Sequence, residues 1–298
     1  MTSPTPDSPA RTGTPTVAVL GTGVMGAGMV RSLRRAGIVV RAWNRDPAKA
    51  QALTGTGAEA CDSPADAARG ADVLLTMVFD ADAAVDVVRQ AAPAAGTVWL
   101  QTTTVGVEGA DRTVEVAREL GLVLVDAPVL GTRKPAEEGA LVVLASGPEE
   151  VRAGLEPVLE AIGARTLWLG EAGAGSRLKL VCNAWVLSLT AAVAQSVSLA
   201  EGLGVDPQHF LDAVRGGAAD SPYAHAKGAQ MIAGDFPVSF SLAGAAKDAR
   251  LIRSALQASG VTDALTAAVL HAMDGAAAQL PDAAAVDMGA VVRGFRPA

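Results

Sequence analysis

Lys179 and Asn183 are four residues apart near the start of a long apolar segment, within the stretch GAGSRLKLVCN that spans 173–183. In an α-helix this spacing puts both side chains on one face. A lysine in so apolar a helix is costly unless it has a partner or faces a cleft. Burial would lower its pKa and suit it to exchange a proton with a substrate oxygen during hydride transfer. The spacing is equally compatible with a lysine that extends its ammonium group to solvent near a helix end.

A glycine-rich stretch near the N-terminus has the pattern of a phosphate-binding loop. Residues 21–26 read GTGVMG, which fits GxGxxG, and they follow the apolar run Val17–Leu20. A helical pattern then extends to about Arg35, just before Gly37. In this context the first glycine permits a tight turn, the second lets a pyrophosphate approach, and the third allows close packing. Because a helix N-terminus favours anionic phosphates, the loop is predicted to bind a dinucleotide.

The end of the second predicted strand favours one dinucleotide over the other. An NAD site usually has an acidic residue there, which accepts hydrogen bonds from the ribose 2′-hydroxyl. Here the strand is followed by Asn44, which is neutral, and Arg45, whose guanidinium offers five donors to a 2′-phosphate. Asp46, which precedes Pro47, is predicted to cap the next helix. NADP is therefore predicted rather than NAD, the alternative being that Arg45 is an ordinary solvated loop residue.

The composition excludes several classes of partner. The 298 residues carry a net charge of −7 and contain no basic run, which argues against nucleic acid. The two cysteines, Cys61 and Cys182, form neither a disulfide framework nor a CxxC metal pattern, and the three histidines are widely spaced. No metal is predicted, and a reducing compartment, the cytoplasm, is expected.

These candidate sites require a fold that brings them together. Seven short apolar runs are predicted to be strands: Val17–Leu20, Val39–Trp43, Val73–Val78, Val98–Gln101, Val123–Asp126, Leu141–Ser146 and Thr166–Leu169. Their alternation with helical segments predicts an α/β fold, a Rossmann domain with a doubly wound, mostly parallel sheet. After Gly175 the strand signals stop. We predict a disordered tail over 1–14, a dinucleotide-binding domain over 15–174 and an all-helical substrate and dimerisation domain over 175–298.

The apolar segment 180–200 approaches the length of a membrane span. Asn183, Gln195 and four serine or threonine residues interrupt it, and no second span follows. A long buried helix joining the two domains is therefore predicted, with no membrane partner.

Four motifs, in this order, resemble the β-hydroxyacid dehydrogenases, a family that includes 3-hydroxyisobutyrate dehydrogenases and glyoxylate/succinic semialdehyde reductases. They are VLGTGVMGAGM at 19–29, DAPVLGTRKPAEEGAL at 126–141, the lysine helix at 173–183, and FSLAGAAKDARL at 240–251. The stretch LQTTTV at 100–105 resembles a loop that carries a Ser-Thr pair. The resemblance extends from about residue 16 to 295. It implies a Rossmann domain followed by a helical domain of the 6-phosphogluconate dehydrogenase type, and a homodimer or higher oligomer.

The resemblance also implies roles for particular residues. Lys179 would be the catalytic general acid/base, and Asn183 would orient the substrate. The residues implied to bind the cofactor are Gly21, Thr22, Gly23, Val24, Met25, Asn44, Arg45, Met77, Val78, Thr103 and Lys247. Those implied to bind the substrate are Thr103, Leu130, Gly131, Thr132 and Asn183. The implied activity is hydride transfer between NADP(H) and a small hydroxy acid or semialdehyde.

One residue departs from the family pattern. Leu130 stands where the family has a serine that helps to hold the substrate carboxylate. Either the backbone N–H groups of Gly131 and Thr132 or the Thr132 hydroxyl replace that contact, or the substrate is less acidic or more apolar. Two alternatives are a C=N (imine) reductase on the same scaffold and an NADP-binding protein without chemistry. Lys179 counts against both. Imine reductases generally lack this lysine, and its retention speaks against a protein without chemistry.

Overall fold

The computed structural model describes residues 15–296, so the tail predicted over 1–14 lies outside the described residues. Within them the strands are β1 Thr16–Leu20, β2 Val39–Trp43, β3 Glu59–Ala60, β4 Val73–Thr76, β5 Val98–Gln101, β6 Val123–Asp126, β7 Val129–Leu130, β8 Leu141–Ala145 and β9 Gly163–Trp168. The first helices are α1 Val24–Arg35, α2 Pro47–Gln51, α3 Pro64–Ala68, α4 Ala81–Ala91, α5 Gly106–Glu119, α6 Arg133–Glu138 and α7 Arg152–Ile162.

The later helices are α8 Ala174–Gly202, α9 Pro207–Val214, α10 Pro222–Ala233, α11 Leu242–Ala258 and α12 Ala264–Ala277. Short 3-10 helices lie at Thr54–Thr56, Glu149–Val151 and Met288–Phe295. From Ala174 to the end of the described residues, every named element is a helix.

Six strands form a parallel sheet in the order β3-β2-β1-β4-β5-β6. The strand order reverses between β1 and β4, which lie side by side at the centre. Apolar side chains pack against both faces of the sheet, as a parallel sheet covered by helices requires. This arrangement confirms the predicted Rossmann architecture, in which ligands bind beyond the carboxyl ends of the strands at the reversal point.

A second sheet accounts for the remaining strands. In it β7 pairs antiparallel with β8, and β8 pairs parallel with β9. The sequence predicted β8 and β9 as strands but not that they form a separate sheet. It also did not predict β3 or β7, because a strand of two residues is too short to show an alternating pattern. The second sheet shares its core with α1 and α7, so it extends the first domain.

The long helix predicted over the apolar segment is α8, which packs against the later helices and against the second sheet. Its length and composition are those of a helix able to cross a membrane, but 44% of its most apolar window is buried inside the protein. The core helices of soluble proteins also reach this length and apolar composition. Its buried face joins the apolar core of the C-terminal helices.

Candidate active site

A cleft of about 770 Å³ runs past the carboxyl ends of β1, β2 and β4 and is closed on its far side by the helical domain. Most of the predicted cofactor residues line it: Gly21, Gly23, Val24, Met25, Asn44, Arg45, Met77, Val78 and Lys247. The opposite wall is formed by the segment 238–241 and by α11. The motif at 240–251 covers part of this wall, and Lys247 was predicted to bind the cofactor; Val238 and Ser239, which precede the motif, were not predicted.

The glycine loop has the shape that a pyrophosphate needs. Gly21 has a φ of +103°, and a Cβ atom there would lie 2.2 Å from the Met77 carbonyl oxygen. A Cβ atom on Gly26 would lie 1.9 Å from the Gly21 carbonyl oxygen. Gly23 begins α1 without a side-chain cap, and nothing lies within 4 Å of where its Cβ would be. The residues from Gly23 to Gly26 line the cleft, and since the first N–H groups of a helix have no partner within the helix, this end of α1 fits a bound phosphate group.

Asn44 lines the cleft and makes two hydrogen bonds to the loops on either side of it. Its Oδ1 accepts a hydrogen bond from the Thr22 backbone N–H at 3.0 Å, and its Nδ2 donates to the Asp46 carbonyl oxygen at 3.1 Å. Asn44 thus holds the glycine loop against the end of β2. Thr22 itself is buried beneath the loop, and its hydroxyl has no hydrogen-bond partner among the described residues.

Two cations are exposed on the cleft wall beside the end of β2. Arg45 lies in the loop, and Lys49 lies in the first turns of α2. Asp46 caps that helix by accepting a hydrogen bond from the Ala48 N–H at 3.1 Å, with Pro47 at its first position, as predicted. Lys49 was not predicted. The two side chains supply positive charge where a ribose phosphate would lie.

The three threonines in the loop after β5, Thr102, Thr103 and Thr104, have different surroundings. Thr103 is only 1% exposed, and its hydroxyl accepts a hydrogen bond from the Val78 N–H at 3.0 Å. The buried Gln101 amide holds the same residue by two bonds, to its N–H at 2.7 Å and its carbonyl oxygen at 2.8 Å. Thr102 donates to the Thr76 carbonyl oxygen at 2.7 Å. Of these three threonines only Thr104 lines the cleft, whereas Thr103 stabilises the loop through its hydrogen bonds to buried groups.

Lys247 connects the two domains across the cleft. Its ammonium donates to the Thr104 carbonyl oxygen at 2.7 Å and lies 2.8 Å from the Asp248 carboxylate. It also lies 5.6 Å from the centre of the exposed Phe79 ring, a cation–π distance. Thus α11 approaches the Rossmann domain at the carboxyl ends of β4 and β5.

Lys179 is almost buried, with 9% of its surface exposed. Its ammonium donates to the Val129 carbonyl oxygen at 2.8 Å, and one helical turn away Asn183 donates to Asp248 at 2.7 Å. Burial lowers the pKa of Lys179 to about 8, against the opposing effect of the Asp248 charge. At neutral pH the surrounding pH is therefore close to the pKa of Lys179, and its ammonium group is able to act as a general acid. Lys179 and Asn183 do not themselves line the cleft; Asp248, which accepts the bond from Asn183, does. A role for this aspartate was not predicted, although it follows Lys247 directly.

The start of α8, which carries Lys179, is held in place by a buried carboxylate. Asp126, at the end of β6, accepts hydrogen bonds from the Ser176 N–H at 2.8 Å and the Ser176 hydroxyl at 2.7 Å. Burial raises the pKa of Asp126, although these two bonds oppose the shift. A Cβ atom on Gly175 would lie 2.1 Å from the Leu144 carbonyl oxygen, so the helix begins in direct contact with the second sheet.

The remaining predicted substrate residues, Leu130, Gly131 and Thr132, come directly after Val129, whose carbonyl oxygen accepts the hydrogen bond from Lys179. Leu130 is the last residue of β7, and its side chain is half-buried. Gly131 has a φ of +122°, and Thr132 begins α6. Arg133 and Lys134 make exposed ion pairs with Glu137 and Glu138 on their own helix, as solvated residues do.

Among residues 15–296, no group of three or more His, Cys, Asp or Glu side chains is arranged to hold a metal ion. The site therefore consists of the phosphate-binding loop, the cations beside β2, and the buried cluster of Lys179, Asn183 and Asp248 with Lys247.

Known proteins share both halves of this arrangement. Residues 16–170 match the sequence family described as the NAD binding domain of 6-phosphogluconate dehydrogenase. Residues 173–294 match that described as the NAD-binding domain of NADP-dependent 3-hydroxyisobutyrate dehydrogenase. The chloroplastic glyoxylate/succinic semialdehyde reductase 2 of Arabidopsis thaliana is 32% identical over 256 residues, which cover 84% of this chain and 72% of that protein.

Solved structures agree with the sequence comparison. The 3-hydroxyisobutyrate dehydrogenase of Mycobacterium tuberculosis, determined with L-serine, has a TM-score of 0.83 and 29% identity, and the match covers 95% of this chain and 99% of that one. An imine reductase from a Pseudomonas species is more distant, with a TM-score of 0.61 and 21% identity, and shares the fold alone. The chain is therefore a nicotinamide-dependent dehydrogenase or reductase and belongs to the β-hydroxyacid dehydrogenase family.

Proposed function

We propose that the protein transfers hydride between NADP(H) and the carbonyl carbon of a small semialdehyde or keto acid, with Lys179 as general acid/base. The observation that carries the proposal is the position of Lys179, which is buried with a pKa of about 8 and lies one helical turn from Asn183, whose partner Asp248 lines the cleft. A lysine with this pKa is able both to give and to take a proton near neutral pH.

The preference for NADP is supported by charge at the adenosine end of the cleft. Arg45 and Lys49 both line the wall there, and neither makes an ion pair within the part of the chain that the structure describes. A guanidinium binds a phosphate through two parallel hydrogen bonds, and an ammonium adds a point charge. The loop of residues 21–26 would hold the pyrophosphate. When bound, the nicotinamide supplies or accepts the hydride.

The chain's own residues manage the proton and the orientation of the substrate. In reduction, the Lys179 ammonium donates a proton to the oxygen that becomes a hydroxyl; in oxidation the neutral amine removes it. Asn183 has one N–H bound to Asp248, so its second N–H and its Oδ1 are left for a substrate oxygen or hydroxyl. We assign to Thr104 the substrate contact expected from Thr103, since the Thr103 hydroxyl is already bonded.

A substrate screen tests the proposal. Purified protein is incubated with NADPH or NADH and a panel of glyoxylate, succinic semialdehyde, neutral aldehydes and cyclic imines, and oxidation is followed at the nicotinamide absorbance. We expect turnover of the carboxylate-bearing aldehydes with NADPH. Turnover of imines with none of the carbonyl compounds would instead identify a C=N reductase. Dinucleotide binding without turnover of any compound would leave only a binding protein.

Leu130→Ser is expected to raise kcat/KM for glyoxylate about tenfold, because a hydroxyl hydrogen bond to a charged group contributes roughly 1.5–3 kcal/mol. Activity with a neutral aldehyde of similar size should change little. Leu130→Ala is the matched control, since it creates the same space without a donor. Should alanine and serine produce equal gains, the side chain at 130 controls only the size of the pocket.

We also propose a homodimer, supported by the exposed face of α8. Val181, Trp185 and Leu199 lie on one face of this helix, and Trp185 is 68% exposed. Exposed apolar surface of this kind marks an interface. The cytoplasm is the proposed compartment, consistent with the free thiols of Cys61 and Cys182. We place the domain boundary at residue 174, where α8 begins.

Trp185→Glu is expected to convert the dimer into a monomer, because it places a charge in a buried apolar contact. Light scattering coupled to size exclusion measures the mass directly. Leu265→Glu, on another exposed apolar side chain, is the control and should remain dimeric. Dissociation by the control alone would move the interface to α12, and a monomeric unchanged protein would contradict the proposed dimer.

A further inference from the structure

The helical domain contains a buried ion pair that the proposed proton and hydride steps do not use. Lys227 of α10 is 4% exposed and Asp287 is fully buried, and the two side chains are in direct contact. Removing two charges from water costs several kcal/mol per ion, and their mutual attraction offsets this only when further hydrogen bonds satisfy the remaining groups. The partners of Asp287 therefore indicate what the pair is for.

Most of those partners belong to one short segment. One carboxylate oxygen of Asp287 accepts hydrogen bonds from the Ser239 N–H at 2.9 Å, the Ser239 hydroxyl at 2.8 Å and the Phe240 N–H at 3.1 Å. The other oxygen accepts from the Gly289 N–H at 2.9 Å and contacts Lys227. Backbone bonds on both sides of Asp287 join the same two segments, from the Met288 N–H to the Phe240 carbonyl and from the Leu242 N–H to the Val286 carbonyl.

The segment that Asp287 holds is the cleft wall 238–241. All four of its residues line the cleft opposite the glycine loop. Its last residue, Ser241, caps α11 by accepting a hydrogen bond from the Gly244 N–H at 3.2 Å, and α11 carries Lys247 and Asp248. A shift of this wall would thus change the width of the cleft and move both charged residues.

We propose that Asp287 is a positioning residue for dinucleotide binding, that it fixes the cleft wall 238–241, and that Lys227 serves as its counter-charge. The inference rests on the proposed use of this cleft for the cofactor. It assigns the two partners different tasks. Asp287 holds the wall through three hydrogen bonds of 2.8–3.1 Å, whereas Lys227, whose one bond to the wall is a long one of 3.4 Å to the Ser239 hydroxyl, mainly compensates the buried charge.

The difference between the two tasks provides the test. In Asp287→Asn one oxygen becomes an NH₂ group, which must face either Lys227 or the N–H groups of Ser239 and Phe240, so a donor loses its acceptor whichever way the amide turns. In Lys227→Met the carboxylate keeps its bonds to Ser239 and Phe240. Both variants break the same ion pair and should lower the melting temperature, but only the first weakens the hold on the wall. An NH₂ group facing Ser239 and Phe240 removes their acceptor, and an NH₂ group facing Lys227 leaves them a neutral oxygen in place of a charged one.

The measurement is the Kd for NADPH, from the fluorescence of the bound nucleotide, beside the melting temperature of each variant. We expect Asp287→Asn to raise Kd about tenfold, as loss of hydrogen bonds to a charged group would. For Lys227→Met we expect Kd within about threefold of the unchanged protein, a change of less than 1 kcal/mol.

If both variants raise Kd equally, or neither does, the inference is overturned and the pair only stabilises the domain. Asp287→Glu covers the case in which the asparagine variant fails to fold: it keeps the charge but moves the oxygens by one methylene. It should also weaken binding, and normal binding by this variant would count against the inference. Failure of the unchanged protein to bind any dinucleotide would overturn the proposed function and this inference together, whereas normal binding by both Asp287 variants would overturn the inference alone.

Discussion

Lys179→Met is expected to lower kcat for carbonyl reduction by about a thousandfold, the size of effect that a positioned general acid produces. Methionine fills the same apolar space but carries no proton. The Kd for NADPH should remain unchanged, since Lys179 is bonded to the Val129 carbonyl and is not one of the residues that line the cleft with the phosphate-binding loop and the cations beside β2. Single-turnover absorbance measurements with saturating NADPH separate loss of the chemical step from loss of binding.

The same variant should be more stable than the unchanged protein. Burial lowers the pKa of Lys179 from its ordinary value of 10.5 to about 8, so at neutral pH the folded state holds a charge that is unfavourably desolvated. Between those two pKa values the unfolded chain binds more protons, and stability rises with pH. Methionine carries no charge and so removes this cost. We expect the free energy of unfolding to rise by roughly 2 kcal/mol at pH 7, somewhat less than the full lowering of the pKa would give. A higher melting temperature together with lost activity would exclude misfolding as the cause.

The lowered pKa also predicts opposite pH profiles for the two directions of the reaction. Reduction needs the ammonium form of Lys179, so kcat/KM should fall as pH rises through about 8. Oxidation needs the neutral amine, so kcat/KM should rise through the same pH. Lys179→Arg is the control, because arginine keeps the charge but does not release its proton. If Lys179→Arg oxidised an alcohol substrate at the normal rate, Lys179 would act as a charge and not as a base.

Arg45→Glu is expected to reverse the cofactor preference. We expect KM for NADPH to rise about a hundredfold, because a pair of charge-assisted hydrogen bonds is replaced by repulsion between a carboxylate and the 2′-phosphate. KM for NADH should fall or stay the same, since a carboxylate accepts hydrogen bonds from the free 2′-hydroxyl. Initial rates with each cofactor at a fixed substrate concentration give both values, and kcat should change little.

Lys49→Ala should produce a smaller loss of NADPH affinity, about fivefold to tenfold, because a single exposed ammonium contributes less than a bidentate guanidinium. Arg152→Ala, on an exposed ion pair far along the chain, serves as the control for a change of net charge. A protein that prefers NADH before any substitution would contradict the argument from Asn44 and Arg45. Equal effects of Arg45→Glu on both cofactors would show that Arg45 shapes the loop rather than reads the phosphate.

The residues that were predictable from the sequence are those whose role follows from local geometry. The glycine loop needs particular φ values and close backbone approach, so its pattern is visible in six adjacent residues. Asp46 with Pro47 predicted a helix start for the same reason, and α2 begins there. Lys179 and Asn183 share a helical face, which four residues of sequence suffice to specify.

The residues that were not predictable act through contacts between distant parts of the chain. Nothing within LQTTTV distinguishes Thr103 from Thr104, yet one is bonded to Val78 behind the wall and the other reaches the cleft. The partners of Asp248 lie in two other segments, at Asn183 and, through Lys247, at Thr104. Periodicity does not report such contacts, because it describes only which face of its own element a residue occupies.

From the order of its amino acids alone, this protein can be described as a Rossmann domain with a phosphate-binding loop, followed by helices that carry a lysine suited to acid–base chemistry. Only the tertiary structure decides that the lysine is buried against the Val129 carbonyl, that its pKa lies near 8, and that Asp287 holds the wall facing the glycine loop. The reason is physical: a backbone pattern depends on neighbours a few residues away, whereas desolvation and charge depend on whatever the folded chain brings within a few ångströms.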